Sequence, residues 1–266
     1  MSAPAIRVVL RSASLSDFGG RMVQEDASLA DDALGLYAVA DGMGASMSGR
    51  PAADLAIATL QHAHATRDPG GAGLAAAVTV ANTAICERTL DARRYWTDPN
   101  RPPRADSHEL TRWLGLGSTI VALRIGEGAA TIAHVGDSRA YRWRGGRLER
   151  LTIDHRLVDE ARSAGMAEDK LAELPPKIIT RALGFSEDLT VDTNIVDTRP
   201  GDVFLLTSDG LTDELADLTI AALMRDHAGD LAAIARHLVE RAVGASEAAL
   251  CDNVTAVLIA VEDALV

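Results

Sequence analysis

Apolar positions recur along this chain with two different periods, and the switching between them divides it into helices and strands. Ala52, Leu55, Ala56, Thr59 and Leu60 repeat at helical spacing just after Pro51, a residue suited to a first helical turn. Leu74, Val78, Ala81 and Ile85 repeat the same pattern in a second helix, and further helices are expected over 154–164, 213–226 and 230–243. Short β-prone runs at 6–13, 118–125, 130–135, 140–143, 148–151, 190–196, 202–207 and 254–261 read as strands, with Gly145-Gly146 marking a hairpin. Tyr37-Ala38-Val39-Ala40 is another such run, and it ends abruptly in Asp41-Gly42-Met43-Gly44. Helices arrive in pairs between groups of antiparallel-type strands, which favours an α+β layered domain over a doubly wound parallel sheet.

Two stretches fit neither period. Residues 165–176 read as a polar excursion ending in proline. Residues 91–114 are rich in Arg, Pro, Asp and Trp, which implies an irregular surface loop. Its Arg93, Arg94, Arg101, Arg104 and Arg112, with Trp96 and Trp113, suit a solvated loop with a docked tryptophan; the alternative is a docking surface for an acidic partner.

Composition narrows the picture. The 266 residues suit one large domain with its own core, and no internal repeat interrupts them. Hydrophobic residues make up 47% of the chain but aromatics only 3%, so the core is expected to be built from Ala, Val, Leu and Ile. A net charge of -12 argues against nucleic-acid binding, which needs a clustered positive surface. Cys86 and Cys251 have neither CxxC spacing nor a disulfide framework, which fits a reducing, cytoplasmic compartment. No apolar run reaches a membrane span, and Met1-Ser2-Ala3-Pro4 lacks a basic region followed by an apolar stretch, so a soluble, untargeted monomer is expected.

The candidate chemistry is acidic. Besides Asp41, Asp137 in Gly136-Asp137-Ser138, Asp209 in Ser208-Asp209-Gly210 and Asp252 in Cys251-Asp252-Asn253 each adjoin a predicted strand. Asp-Gly dipeptides make turns without any further role. Four carboxylates at strand ends, with Glu25 and Asp26 close behind Arg21, instead suggest one site. Clustered carboxylates repel, so such a site needs cations or protons. Oxygen-only ligands select Mg²⁺ or Mn²⁺ over zinc, and H-E-x-x-H, paired-cysteine and Walker lysine motifs are all lacking. Two such ions about 3.5–4 Å apart turn a bridging water into a hydroxide nucleophile and clamp an in-line displacement at phosphorus. An arginine fork suits phosphoryl oxygens, although Arg beside acids is more commonly a surface ion pair.

Eight motifs in order then carry a resemblance: Gly19 to Ala27, Val39 to Gly44, Leu116 to Thr119, His134 to Arg139, Leu151 to His155, Ile179 to Gly184, Leu206 to Leu211 and Asp252 to Thr255. Over about 13–260 the chain resembles the bacterial metal-dependent protein Ser/Thr phosphatases of the PPM, or protein phosphatase 2C-like, family. The resemblance implies a four-layer α-β-β-α sandwich of two antiparallel sheets flanked by helix pairs, with metals at one edge between the sheets. It implies a single domain over 1–266 with a flap at about 154–184. By position, Asp41 falls on the residue bridging two ions and Gly42 on a coordinating carbonyl. Asp209 and Asp252 would complete the first ion, and Glu25 and Asp26 would bind the second ion or its waters. Asp137, with Asp209, falls where some members hold a third, weaker ion, and Arg21 falls on the phosphate-binding arginine.

The activity so implied is hydrolysis of phosphoserine and phosphothreonine on proteins, opposing a Ser/Thr kinase. The alternatives are a catalytically inactive phosphoprotein-binding member and a phosphatase component of a kinase-regulated secretion apparatus. Three positions depart from the pattern. Gln24 stands where Asn or Met is usual, and Ala45 replaces a glycine of the loop. Met43 stands where eukaryotic members have a histidine proposed as general acid, so that role passes to water or is absent. His134 and His155 are read as packing or capping residues.

Overall fold

The computed structural model describes residues 6–44, 48–65, 71–126, 128–245 and 251–265. Met1 to Pro4 and Ala45 therefore lie outside the described residues. Strands β1 (Ile6–Asp17), β11 (Val254–Leu265), β10 (Val203–Thr207), β7 (Arg139–Arg144) and β8 (Arg147–Arg150) form one antiparallel sheet in that spatial order. The second sheet runs β2 (Asp26–Asp31), β3 (Leu36–Met43), β5 (Ile120–Ile125), β6 (Ala129–Val135) and β9 (Asp192–Asp197), with the two-residue β4 (Gly117–Ser118) paired to the end of β3.

The strands alternate in side-chain direction, and both directions are apolar because both faces are covered. In β3, Leu36, Ala38 and Ala40 join a core with helices α1 (Arg50–Ala65) and α2 (Gly71–Thr97), through Ala52, Ala56, Leu60, Leu74, Val78 and Ile85. Tyr37 and Val39 point the other way, into an inter-sheet core with Val121, Leu123, Ile132, Phe204, Leu206, Val257 and Ile259. On the far side, Tyr141, Leu205, Ala256 and Leu258 pack against helices α7 (Asp217–Asp226) and α8 (Leu231–Ala245), through Ile220, Met224, Ile234 and Leu238. The order of layers is helix, sheet, sheet, helix, as expected. Small alanines on the helix-facing side let the helices approach closely, so few aromatics are needed to fill the core.

The expected hairpin forms between β7 and β8, with Gly145 at φ 56 and Gly146 at φ 83, a pair of positive values that a tight two-residue turn requires. Other boundaries differ from the sequence expectation. Strand β1 continues to Asp17, paired with β11 along its length. Strand β2 lies at the sheet edge, where its polar residues give no apolar signature.

The stretch 91–114 is not irregular throughout. Helix α2 carries on through Thr97, and α3 (Ser107–Arg112) adds a turn and a half. Trp113 docks into the helical core while Trp96 remains at the surface. The arginines hide the helical period because they lie on the outer face and pair locally: Arg104 bonds Asp91 and Asp106 and lies over the Tyr95 ring, and Arg101 stacks over Trp96. The expected helix at 154–164 is shorter, as α4 (Leu157–Ser163), and α5 (Glu168–Leu171) gives the following excursion one turn of helix. The expected helix over 213–226 begins only at Asp217. Residues Asp209–Thr212 form a separate turn, α6, closed by the Asp213 amide donating to the Asp209 carbonyl at 2.7 Å.

Candidate metal centre

The acidic residues converge at one edge of the sandwich, between the sheets. Register brings the first two together: Asp26 opens β2 directly opposite Asp41 near the end of β3. Asp209 follows β10 and Asp252 precedes β11 in the other sheet, and Asp137 follows β6. Both sheets therefore contribute carboxylates.

The end of β3 is held firmly. The Asp41 amide donates to Thr119 Oγ1 at 3.0 Å, and its carbonyl accepts from the Thr119 amide at 2.8 Å and from Ser118 Oγ at 3.0 Å. Thr119 Oγ1 in turn meets Ser138 Oγ at 2.8 Å, tying this strand end to the turn that carries Asp137. Gly42 needs to be glycine because of a chain crossing. A Cβ there would lie 2.3 Å from the Gly49 carbonyl oxygen and 2.9 Å from that of Glu25, so any side chain forces the backbones apart. Glu25 bridges this crossing, its carbonyl accepting from the Gly42 amide at 3.2 Å and its Oε1 accepting from the Gly49 amide.

Asp26 is buried with Oδ2 accepting from Ser208 Oγ and Thr255 Oγ1, each at 2.7 Å. Its Oδ1 is buried with no hydrogen-bond partner among the described residues, as are Asp137 Oδ1 and Asp209 Oδ1. A buried carboxylate oxygen left unpaired costs free energy, and three of them facing one cluster of acids match an oxygen-ligand cation site. Electrostatics agree. Burial, then repulsion from Asp209, Asp26, Asp252 and Asp137, push the Asp41 carboxyl well above the usual carboxylate range. Burial outweighs the Thr255 and Ser208 hydrogen bonds to raise Asp26 to about 7, and burial with Asp137 and Asp213 nearby raises Asp209 to about 8. Divalent cations neutralise such a group of anions where protons would otherwise have to, and the all-oxygen donor set fits Mn²⁺ or Mg²⁺.

Arg21 sits at the rim, half-exposed, with Nη2 donating to Asp252 Oδ2 at 2.6 Å rather than to the adjacent Glu25 or Asp26. Its loop is pinned by Asn253, whose Nδ2 donates to the Phe18 and Val23 carbonyls at 3.0 and 3.1 Å and whose Oδ1 accepts from the Glu25 amide at 2.7 Å. Asn253 lies within a matched motif but its role could not be read from residue type alone.

Two further charged residues complete the cluster and were not among the sequence candidates. Arg156 bonds Asp137 Oδ2 through Nε at 2.6 Å, Asp213 Oδ1 through Nη1 at 2.9 Å and Asp209 Oδ2 through Nη2 at 3.2 Å. The spacing of Asp209 and Asp213 across one helical turn was the available sign for Asp213; nothing local marks Arg156. His134 and His155 stack with centroids 4.6 Å apart, and with Asp192 they form a compact group. One nitrogen of each ring is engaged with the backbone: the Gly136 amide donates to His155 Nδ1 at 3.0 Å, and His134 Nε2 meets the Ile153 carbonyl at 2.8 Å. They brace the turn beside Asp137, as packing residues should.

The family model described as Protein phosphatase 2C matches residues 19–252. Serine/threonine protein phosphatase PstP of Mycobacterium tuberculosis is 33% identical over 264 residues, covering 97% of this chain and 46% of that protein. Protein phosphatase PhpP of Streptococcus pneumoniae is 32% identical over 180 residues, 67% of this chain and 68% of its own length. The chain thus spans about half the length of the curated M. tuberculosis relatives it matches. Among solved structures, the catalytic domain of PstP in complex with two manganese ions superposes with a TM-score of 0.75 at 32% identity, covering 97% of this chain and 100% of that one. PppA, described as a key regulatory component of T6SS in Pseudomonas aeruginosa, superposes with a TM-score of 0.75 at 29% identity, covering 96% and 100%.

Proposed function

This chain belongs to the protein phosphatase 2C family, and from that premise we propose that it hydrolyses phosphoserine and phosphothreonine on proteins in a Mn²⁺- or Mg²⁺-dependent reaction, reversing a Ser/Thr kinase. The observation that carries this reading is the pair of buried, unpartnered carboxylate oxygens on Asp26 and Asp209, gathered around Asp41. The relative solved with two manganese ions supports the choice of cation.

Asp41, the Gly42 carbonyl, Asp209 and Asp252 would hold one ion, and Asp41 with Glu25, Asp26 or their waters a second. Such ions, when bound, supply a water acidic enough to ionise near neutral pH and a clamp for phosphoryl oxygens. The protein supplies the rest. Thr119 and Ser118 fix the Asp41 backbone, which limits the reorganisation that its carboxylate needs on binding. Arg21 would receive the phosphoryl group if Asp252 turned to a cation, exchanging one anionic partner for another of better fork geometry. Met43 offers no proton, so the leaving alkoxide would take its proton from water.

Purified protein with Mn²⁺ is expected to release phosphate from a phosphothreonine peptide, and Asp209→Asn to abolish this. The loss should exceed the roughly 10–100-fold that follows when only a residue supporting a metal ligand is changed. Sustained turnover in excess EDTA would overturn the reading.

Both cysteines are free and buried, which supports a reducing, cytoplasmic setting. Among the described residues no helix is long and apolar enough to cross a membrane. The likeness to PppA supports a second reading, a phosphatase serving a kinase-regulated secretion apparatus. Association of this chain with secretion components in cells would distinguish the two.

A further inference from the structure

We propose that Arg156 is the resident cation of the Asp137, Asp209 and Asp213 cluster and keeps a third divalent ion out of it, leaving a two-ion centre whose remaining charge is balanced by the flap. The inference rests on the metal reading above, and it concerns a part of the cluster that reading leaves open. All three acids turn one carboxylate oxygen to the same guanidinium, at 2.6, 3.2 and 2.9 Å. Arg156 is itself buried, so these are not screened surface contacts. A guanidinium offers several donors in one plane, and here three of its nitrogens each meet a separate carboxylate.

Its position is built in by the backbone. Arg156 opens the flap at the start of α4, its carbonyl accepting from the Asp159 and Glu160 amides at 2.9 and 3.0 Å. The two arms of the flap are joined beside it: the Leu157 amide donates to the Ile178 carbonyl at 2.9 Å, and the Thr180 amide to the His155 carbonyl at 2.8 Å. From the returning arm Lys177 Nζ reaches Asp213 Oδ2 at 2.8 Å. Both arms therefore deliver a positive charge to Asp213, one of them by way of Arg156.

An ion held by Asp137 and Asp209 would share both carboxylates with this guanidinium. Like charges at that separation in a buried site disfavour each other, so either the ion stays out or Arg156 must leave and take the flap base with it. Arg156 is thus a positioning residue: it holds Asp209 by Oδ2, leaving Oδ1 unpartnered, and couples the flap to the carboxylate cluster.

The test is the number of Mn²⁺ ions bound by the full chain at saturation, counted by equilibrium dialysis with metal analysis. Arg156→Gln, checked for folding by circular dichroism, is expected to bind one ion more than the unchanged protein, and adding Asp137→Asn to it should remove that ion again. Equal counts in the unchanged protein and folded Arg156→Gln would overturn the proposal. A second variant does not depend on Arg156→Gln folding: Asp137→Asn alone is expected to leave the count as it was, and a count lower by one would equally overturn the proposal. Because the readout is a difference in ion number, it is separate from the failure of the proposed activity, which would appear as no phosphate release at any Mn²⁺ concentration.

Discussion

Burial leaves His155 little freedom to carry a proton. Burial, then the neighbouring His134 and Arg181, lower its pKa to about 4, with Asp192 opposing them from β9. Asp192 Oδ2 lies 3.4 Å from His155 Nε2 but out of line for a hydrogen bond, so the ring nitrogen stays unpartnered. A histidine whose folded pKa falls below its ordinary 6.5 stabilises the protein above that value, and the stabilisation is lost as pH falls from 6.5 through 4. For a fully buried ring the loss is on the order of 2–3 kcal/mol. Urea unfolding at pH 7 and pH 4.5 should show a smaller drop in His155→Gln than in the unchanged protein. Glutamine keeps an acceptor for the Gly136 amide. The raised carboxyls of Asp26 and Asp209 act in the opposite direction, but they are common to both proteins and cancel in the comparison.

Elements matter here through how their ends are held. At the start of β11 the side chain of Asn253 fastens the loop between β1 and β2 at three points, bonding Phe18, Val23 and Glu25 together. Asn253→Ala is expected to weaken Mn²⁺ binding by about 10–100-fold, measured by titration calorimetry, although the residue need not touch an ion. At this scale the sequence was informative where burial imposes a period and silent where it does not. The double-faced strands β3, β6, β10 and β11 announced themselves as apolar runs, and the carboxylates at or beside their ends were visible as punctuation. Edge strand β2 and the outer half of α2 were not visible, since their exposed faces carry polar residues that erase periodicity. The acids Asp26, Asp41, Asp137, Asp209 and Asp252 do come together as expected. What joins them from outside, Arg156 at the start of α4, depends on approach in space between segments whose local sequence carries no sign of it, whereas the spacing of Asp209 and Asp213 across one helical turn was a sign of Asp213.

For the whole molecule, the acidic cluster is a cost that a cation relieves. Mn²⁺ at about 100 times its dissociation constant should add about 2.7 kcal/mol of stability, and raise the midpoint of thermal unfolding by about 5–10 °C in calorimetry. The same cluster straddles the interface between two sheets, with Asp26 and Asp41 on one side and Asp209 and Asp252 on the other. Ions bound there would act as rivets across a seam, and their affinity would gauge how tightly the seam is shut. Phe204→Leu, in the middle of the inter-sheet core, should then loosen Mn²⁺ binding more than an equally destabilising change at Ile220 beneath α7, because only the first lets the two halves of the ligand set drift apart.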